Sequence, residues 1–172
     1  QILPINDTTM SGTWTDSYPY NSISIYAFHP MYIDLRQLPA LKDKKAAEAF
    51  EKARIEVNSL PMMDYEKANK LKMDYLRKVY ASEDFLNFFR HNEEWLQPYA
   101  AFCYLRDSYG TPDFNHWPKY STYDADEITR LCTPGNKAYT KIAFYYYLQY
   151  QLHVQLLAVS TYARAKSILL KG

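Results

Sequence analysis

The sequence predicts a mainly α-helical domain carrying a short strand at each end. Three observations lead there. Residues 43–58 (DKKAAEAFEKARIEVN) are rich in Ala, Lys and Glu, with Asp43 placed as an N-cap and Pro61 just beyond. Between Lys141 and Arg164 run 22 residues with no formal charge unless His153 is protonated, a length suited to a helix and not to a strand. The chain also opens on QILPI and closes on SILLKG, two apolar runs short enough to be buried strands. Each edge of such a strand needs a pairing partner, so the chain is expected to be an internal piece of a longer protein.

Taken in order, residues 1–5 read as a strand. Residues 6–39 mix prolines, hydroxyls and aromatics with little periodicity, although ISIYAF (residues 23–28) alternates enough for a short extended element. A first helix follows over 43–58. A second is predicted over 62–80, where Met63, Tyr65, Ala68, Leu71, Tyr75, Leu76 and Val79 fall near one face. Ser82 opens a capping signal, SEDFLNFFR, with acids in the first turn of a third helix. A fourth is predicted over 98–109, with Pro98 at its first position and Gly110 as its stop. TPDFNHWPKYSTY (residues 111–123) reads as an aromatic loop. A short helix begins at Asp124 and runs over 124–132, and one long helix spans Asn136 to Lys166.

That last helix is long enough to raise the question of a membrane span, which takes about 20 predominantly apolar residues. Gln149, Gln151, Gln155, Ser160 and Thr161 interrupt it, and it is crowded with Tyr. The prediction is a buried helix packed on several sides, with no membrane partner.

Bulk properties narrow the function. The 172 residues suit one domain, and 48% hydrophobic with 23% charged residues is the balance of a globular chain with a sizeable core. A net charge of +1 with the signs interspersed offers no basic surface to nucleic acid. Cys103 and Cys132 stand far apart and form no CxxC pair, which predicts buried free thiols in a reducing, cytoplasmic compartment. His29, His91, His116 and His153 lack metal-ligand spacing, no GxSxG is present, and four glycines cannot build a phosphate-cradling loop. The acids are scattered, and no two sit where their pKa values would be driven apart.

What remains is the aromatic content: 18 Tyr among 17% aromatic residues. Tyrosine pairs an apolar face with a polar tip. A sugar ring likewise has a C–H face and hydroxyl edges, so such residues beside Asn, Asp and Ser match carbohydrate. They serve equally well to fill a moderately polar core, and composition leaves both readings open.

Four ordered blocks then carry a resemblance. LPIND followed by DSYPYNSISIYAFHPMYIDL resembles the opening barrel strand and following loop of the 4-α-glucanotransferases, the amylomaltase or disproportionating-enzyme family, in the longer DSYPY form of its plant cytosolic, maltose-using branch. FFRHNEEWLQPYAAFCYLRDSYG, then HWPKY, then YYYLQYQLHVQL with ARAKSILLKG resemble later blocks of the same family, so that the likeness covers nearly the whole chain.

The resemblance implies a piece of a (β/α)8 barrel: residues 1–5 one barrel strand, 6–39 a substrate-cleft loop, 43–166 a helical region and 167–171 the next strand. It implies transfer of glucosyl or maltosyl units between α-1,4-glucans, with retention through a covalent glycosyl-enzyme intermediate and without metal or organic cofactor. The catalytic acids are implied on later strands, so no catalytic residue is assigned here and the chain by itself is expected to be inactive. Tyr20 and Asn21 match the family's Tyr-Gln after the proline, with Asn one methylene shorter. Tyr99 matches a tyrosine associated with glucan contact on the acceptor side. Trp14 and Asp16 are weaker matches, because the extra residue in DSYPY blurs the register. For Asp16, capping a turn stands beside accepting a sugar hydroxyl. The partners implied are α-1,4-glucans or maltooligosaccharides, and exposed barrel-facing surface predicts self-association of the isolated piece. Two readings from other classes stand beside this one: a non-catalytic carbohydrate-binding module, and an all-helical protein-interaction domain.

Overall fold

Two long helices form the centre of the molecule. A computed structural model describes residues 1–81 and 85–171. The elements are α1 (Lys44–Asn58), α2 (Tyr65–Val79), α3 (Leu86–Tyr109), α4 (Ala125–Leu131) and α5 (Tyr139–Ala165). Short 3-10 turns at Trp14–Ser17, Pro30–Tyr32, Leu35–Gln37 and Phe114–His116 punctuate the connecting segments. The fold is mainly helical, as the sequence predicts.

Local chemistry explains most boundaries. The Asp43 carboxylate accepts from the Lys45 and Ala46 N–H groups at the head of α1. Asp64 caps α2 through Lys67 N–H, so that helix starts at Tyr65, three residues later than the apolar pattern suggests. Asp124 caps α4 through Glu127 N–H. Gly110 takes φ +70° after α3, the left-handed geometry that lets its N–H reach the Arg106 carbonyl and close the last turn. The Ser82 capping signal lies outside the described residues. The head of α3 is Phe85, whose side chain makes no cap bond.

The predicted third and fourth helices are one. Pro98 lies inside α3 and starts no new helix. An interior proline removes one backbone bond and crowds the preceding turn. Continuity holds because Leu96, Tyr99, Ala100, Ala101, Cys103 and Leu105, on both sides of Pro98, are buried in the core, so packing outweighs the local defect. Opposite them α5, 27 residues or about 40 Å long, buries Ile142, Ala143, Tyr146, Tyr147 and Leu148. Ala100, Ala101 and Ala143 are fully buried in the same core. No described helix is long and apolar enough to cross a membrane.

The end segments are adjacent, but neither forms a ladder among the described residues. Ile2 N–H donates to the Lys171 carbonyl at 2.8 Å, and Leu3, Ile168, Leu169 and Leu170 are exposed. ISIYAF is bends and irregular backbone, with an isolated antiparallel bridge between Asn6 and Phe28. A strand persists when both neighbours supply partners, and a single shared bond does not.

Candidate functional site

The first segment of the chain, α3 and α5 converge on a buried polar layer. Asp7 is 1% exposed. Its Oδ1 accepts from the Thr9 backbone N–H at 2.9 Å and the Thr9 hydroxyl at 2.6 Å, and its Oδ2 accepts from the Tyr99 hydroxyl at 2.6 Å. The Tyr99 oxygen in turn accepts from Gln149 Nε2 at 3.1 Å. Burial, with the Asp7 charge second, drives the Tyr99 phenol well above its ordinary range, so it stays a neutral donor. One helical turn-pair further on, Arg106 donates through Nη1 to the Thr9 carbonyl at 2.6 Å and through Nε and Nη2 to Asp107 Oδ1 at 2.9 and 2.8 Å. Asp107 Oδ2 accepts from the Tyr145 hydroxyl of α5.

Above this layer opens a cleft of about 410 Å³. Its walls are the 7–12 segment, the Glu66–Arg77 flank of α2, Tyr99 and Arg106–Asp107 of α3, and Tyr145. Its lining mixes polar groups with the apolar Met10, Pro30, Met73 and Pro112. A concave site of this mixed kind suits a polyhydroxylated ligand better than a purely apolar one.

The sequence-predicted residues divide into three groups. Tyr99 lies at the floor of the cleft. Asp16 is buried, and its carboxylate accepts from the backbone N–H groups of Ser11 (3.0 Å) and Gly12 (2.6 Å) and from the Ser11 hydroxyl (3.1 Å), so it closes the turn that forms one cleft wall. Thr8 donates to the Asp16 carbonyl, which ties that turn to the Asp7–Tyr99 pair. Trp14, Tyr20 and Asn21 lie elsewhere, on an exposed loop outside the cleft lining. Trp14 is 68% exposed and held by its backbone N–H to Glu66 Oε1 at 2.9 Å. The Tyr20 ring leans on Tyr18 with centroids 5.5 Å apart.

Nothing in the sequence directly marks Asp7, Arg106, Asp107, Tyr145 or Gln149 as site residues. In the sequence Gln149 only interrupts an apolar run. A glutamine flanked by buried residues in an uncharged helix was the available signal, because a buried amide requires partners.

The 4-alpha-glucanotransferase family profile matches residues 1–172. The chain belongs to that family. The rice 4-alpha-glucanotransferase DPE2 is 37% identical over the whole chain, which covers 19% of that relative. The Chlamydia trachomatis 4-alpha-glucanotransferase is 34% identical, and the Synechocystis one 24%, again over the whole chain, which covers 33% and 34% of them. The chain thus spans between a fifth and about a third of the length of these glucanotransferases. Within this 4-alpha-glucanotransferase segment, Cys103 and Cys132 are free and buried. Burial pushes their thiols up to about 12 and about 11, which leaves neither a ready nucleophile. Among the described residues no group of three His, Cys, Asp or Glu is placed to hold a metal ion.

Proposed function

We propose that this chain is the substrate-side helical segment of an enzyme that transfers glucosyl or maltosyl units between α-1,4-glucans. The family match along the entire chain carries this reading. The bond is cleaved with retention: a carboxylate elsewhere in the polypeptide takes the sugar, and a second carboxyl protonates the leaving oxygen and then activates the acceptor. This chain contributes binding surface only, and by itself it does not turn over substrate.

Residues 1–5 and 167–171 are neighbouring strands of a (β/α)8 barrel, 6–39 the cleft loop and 43–166 the helical region. The Ile2–Lys171 bond supports that neighbour relation. Trp14, Tyr20 and Asn21 present ring faces and an amide to the glucan. Tyr99 supports the floor of the cleft, and Asp16 shapes its wall. No metal or organic cofactor takes part, and the protein works in the cytoplasm.

The test incubates the full-length protein with maltotriose. The expected products are glucose and a ladder of longer oligosaccharides by mass spectrometry, with new linkages of α configuration by NMR. Binding without any ladder would make the protein a carbohydrate-binding module, and a β-anomeric product would overturn the retaining mechanism.

A further inference from the structure

Two glutamines of α5 hold the segment that follows the exposed loop of Trp14, Tyr20 and Asn21, and they hold it in the same way. Gln149 Oε1 accepts from the Phe28 N–H at 2.8 Å, and its Nε2 donates to the Phe28 carbonyl at 2.9 Å. Gln155 Oε1 accepts from the Asp34 N–H at 2.8 Å, and its Nε2 donates to the Asp34 carbonyl at 3.0 Å. Each side-chain amide thus exchanges both bonds with one backbone residue, as a partner residue in an antiparallel ladder does. The donor and acceptor order fixes the amide orientation, because a flipped amide would set N–H against N–H.

The backbone explains why this is needed. Asn6 and Phe28 face each other across the bridge whose flanking bonds are Asp7 N–H to Ala27 C=O and His29 N–H to Ile5 C=O. In such a pair the N–H and C=O of Phe28 point to the opposite edge, away from the first segment. Gln149 supplies that edge, and its second N–H goes to the Tyr99 oxygen. Between the two glutamines, Lys72 of α2 donates to the Met31 and Ile33 carbonyls at 2.6 and 2.9 Å, and His29 Nδ1 accepts from Met31 N–H at 3.0 Å. Six residues of α5 rise about 9 Å, whereas six extended residues would span about 20 Å. The 3-10 turn at Pro30–Tyr32 takes up that difference.

We propose that Gln149 and Gln155 are positioning residues for glucan binding: their amides act as the missing outer strand for residues 27–34, set the stance of the preceding exposed loop that carries Trp14, Tyr20 and Asn21, and through Gln149 aim the Tyr99 hydroxyl at Asp7. The role in binding rests on the function proposed above. The geometry of the latch does not.

The experiment substitutes Gln149→Leu and Gln155→Leu in the full-length protein, which keeps side-chain bulk and removes the amide. Hydrogen exchange of peptides covering 27–34 is expected to accelerate at least tenfold while peptides from the centre of α3 keep their protection. With maltoheptaose as substrate, KM is expected to rise at least fivefold, and by a larger factor than kcat falls. Unchanged exchange over 27–34 would overturn the proposal. So would a loss of kcat at constant KM in proportion to the folded fraction. If Gln149→Leu does not fold, the less buried Gln155→Leu carries the same two readouts. A wild-type protein that neither binds nor transfers maltoheptaose overturns the transferase reading and the binding role together. The latch is then judged by exchange alone.

Discussion

Removing the Tyr99 hydroxyl should cost far more than removing that of Tyr146, although both are buried tyrosines of the α3–α5 core. Tyr99→Phe deletes a bond to the buried carboxylate of Asp7 at 2.6 Å and leaves one N–H of Gln149 without its acceptor. A hydrogen bond to a charged group contributes about 1.5–3 kcal/mol net, and an abandoned buried polar group costs about 1–3 kcal/mol. These contributions overlap, so the expected loss is roughly 2–4 kcal/mol. Among the described residues no oxygen or nitrogen pairs with the buried Tyr146 hydroxyl, and its polar neighbour is the Cys132 thiol, a weak acceptor at best. Tyr146→Phe removes a desolvated hydroxyl set against a weak thiol acceptor, so its expected effect lies within about 1 kcal/mol of zero. The assay is urea unfolding of the 172-residue chain, followed by tyrosine and tryptophan fluorescence at concentrations low enough to keep it monomeric, with the slope of the transition checked for constancy. Equal losses for the two variants, or a Tyr99→Phe loss below about 1 kcal/mol, would refute the claim that the Asp7–Tyr99–Gln149 chain holds the cleft floor.

Acid should weaken the fold through His29. Its Nδ1 accepts from Met31 N–H and its Nε2 pairs with the Tyr65 hydroxyl at 2.9 Å, so the ring is neutral, and burial holds its pKa below the ordinary value against the pull of Asp7 and Asp16. The unfolded chain takes up a proton near pH 6.5 and the folded chain does not until lower pH. This contribution is therefore complete above about pH 6.5 and is lost below it, by at most about 1.4 kcal/mol per pH unit. Urea midpoints from pH 7.5 to 5.5 should show a steeper decline for the wild type than for His29→Gln, and parallel curves would count against it. The two thiols should react with iodoacetamide at pH 8 more slowly in the native chain than in urea, by roughly a hundredfold for Cys132 and roughly a thousandfold for Cys103, given their raised pKa values. Fast native labelling of Cys103 would show that the core opens. The isolated chain should also associate at tens of micromolar, because Leu3, Ile168, Leu169 and Leu170 are exposed at the two chain ends joined by the Ile2–Lys171 bond. Leu169→Lys should shift it toward monomer in sedimentation, and an unchanged distribution would place the contact elsewhere.

Short-range chemistry is legible in the sequence alone. Asp43 and Asp124 begin helices where their carboxylates can reach N–H groups two or three residues on. Gly110 ends α3 because it alone, without a Cβ, takes φ +70° at little cost. The ordered blocks of residues point to the glucanotransferase family without any knowledge of contacts. Tertiary structure decided what depends on distant partners. Pro98 remains inside α3 because burial against α5 outweighs a local defect that reads as a boundary. Tyr99 becomes a cleft-floor residue only through Asp7, 92 residues before it, and Gln149, 50 residues after it. Gln149 and Gln155 each find backbone partners 121 residues away. No window of sequence contains both ends of such a bond, and its free energy exists only once the helices have packed.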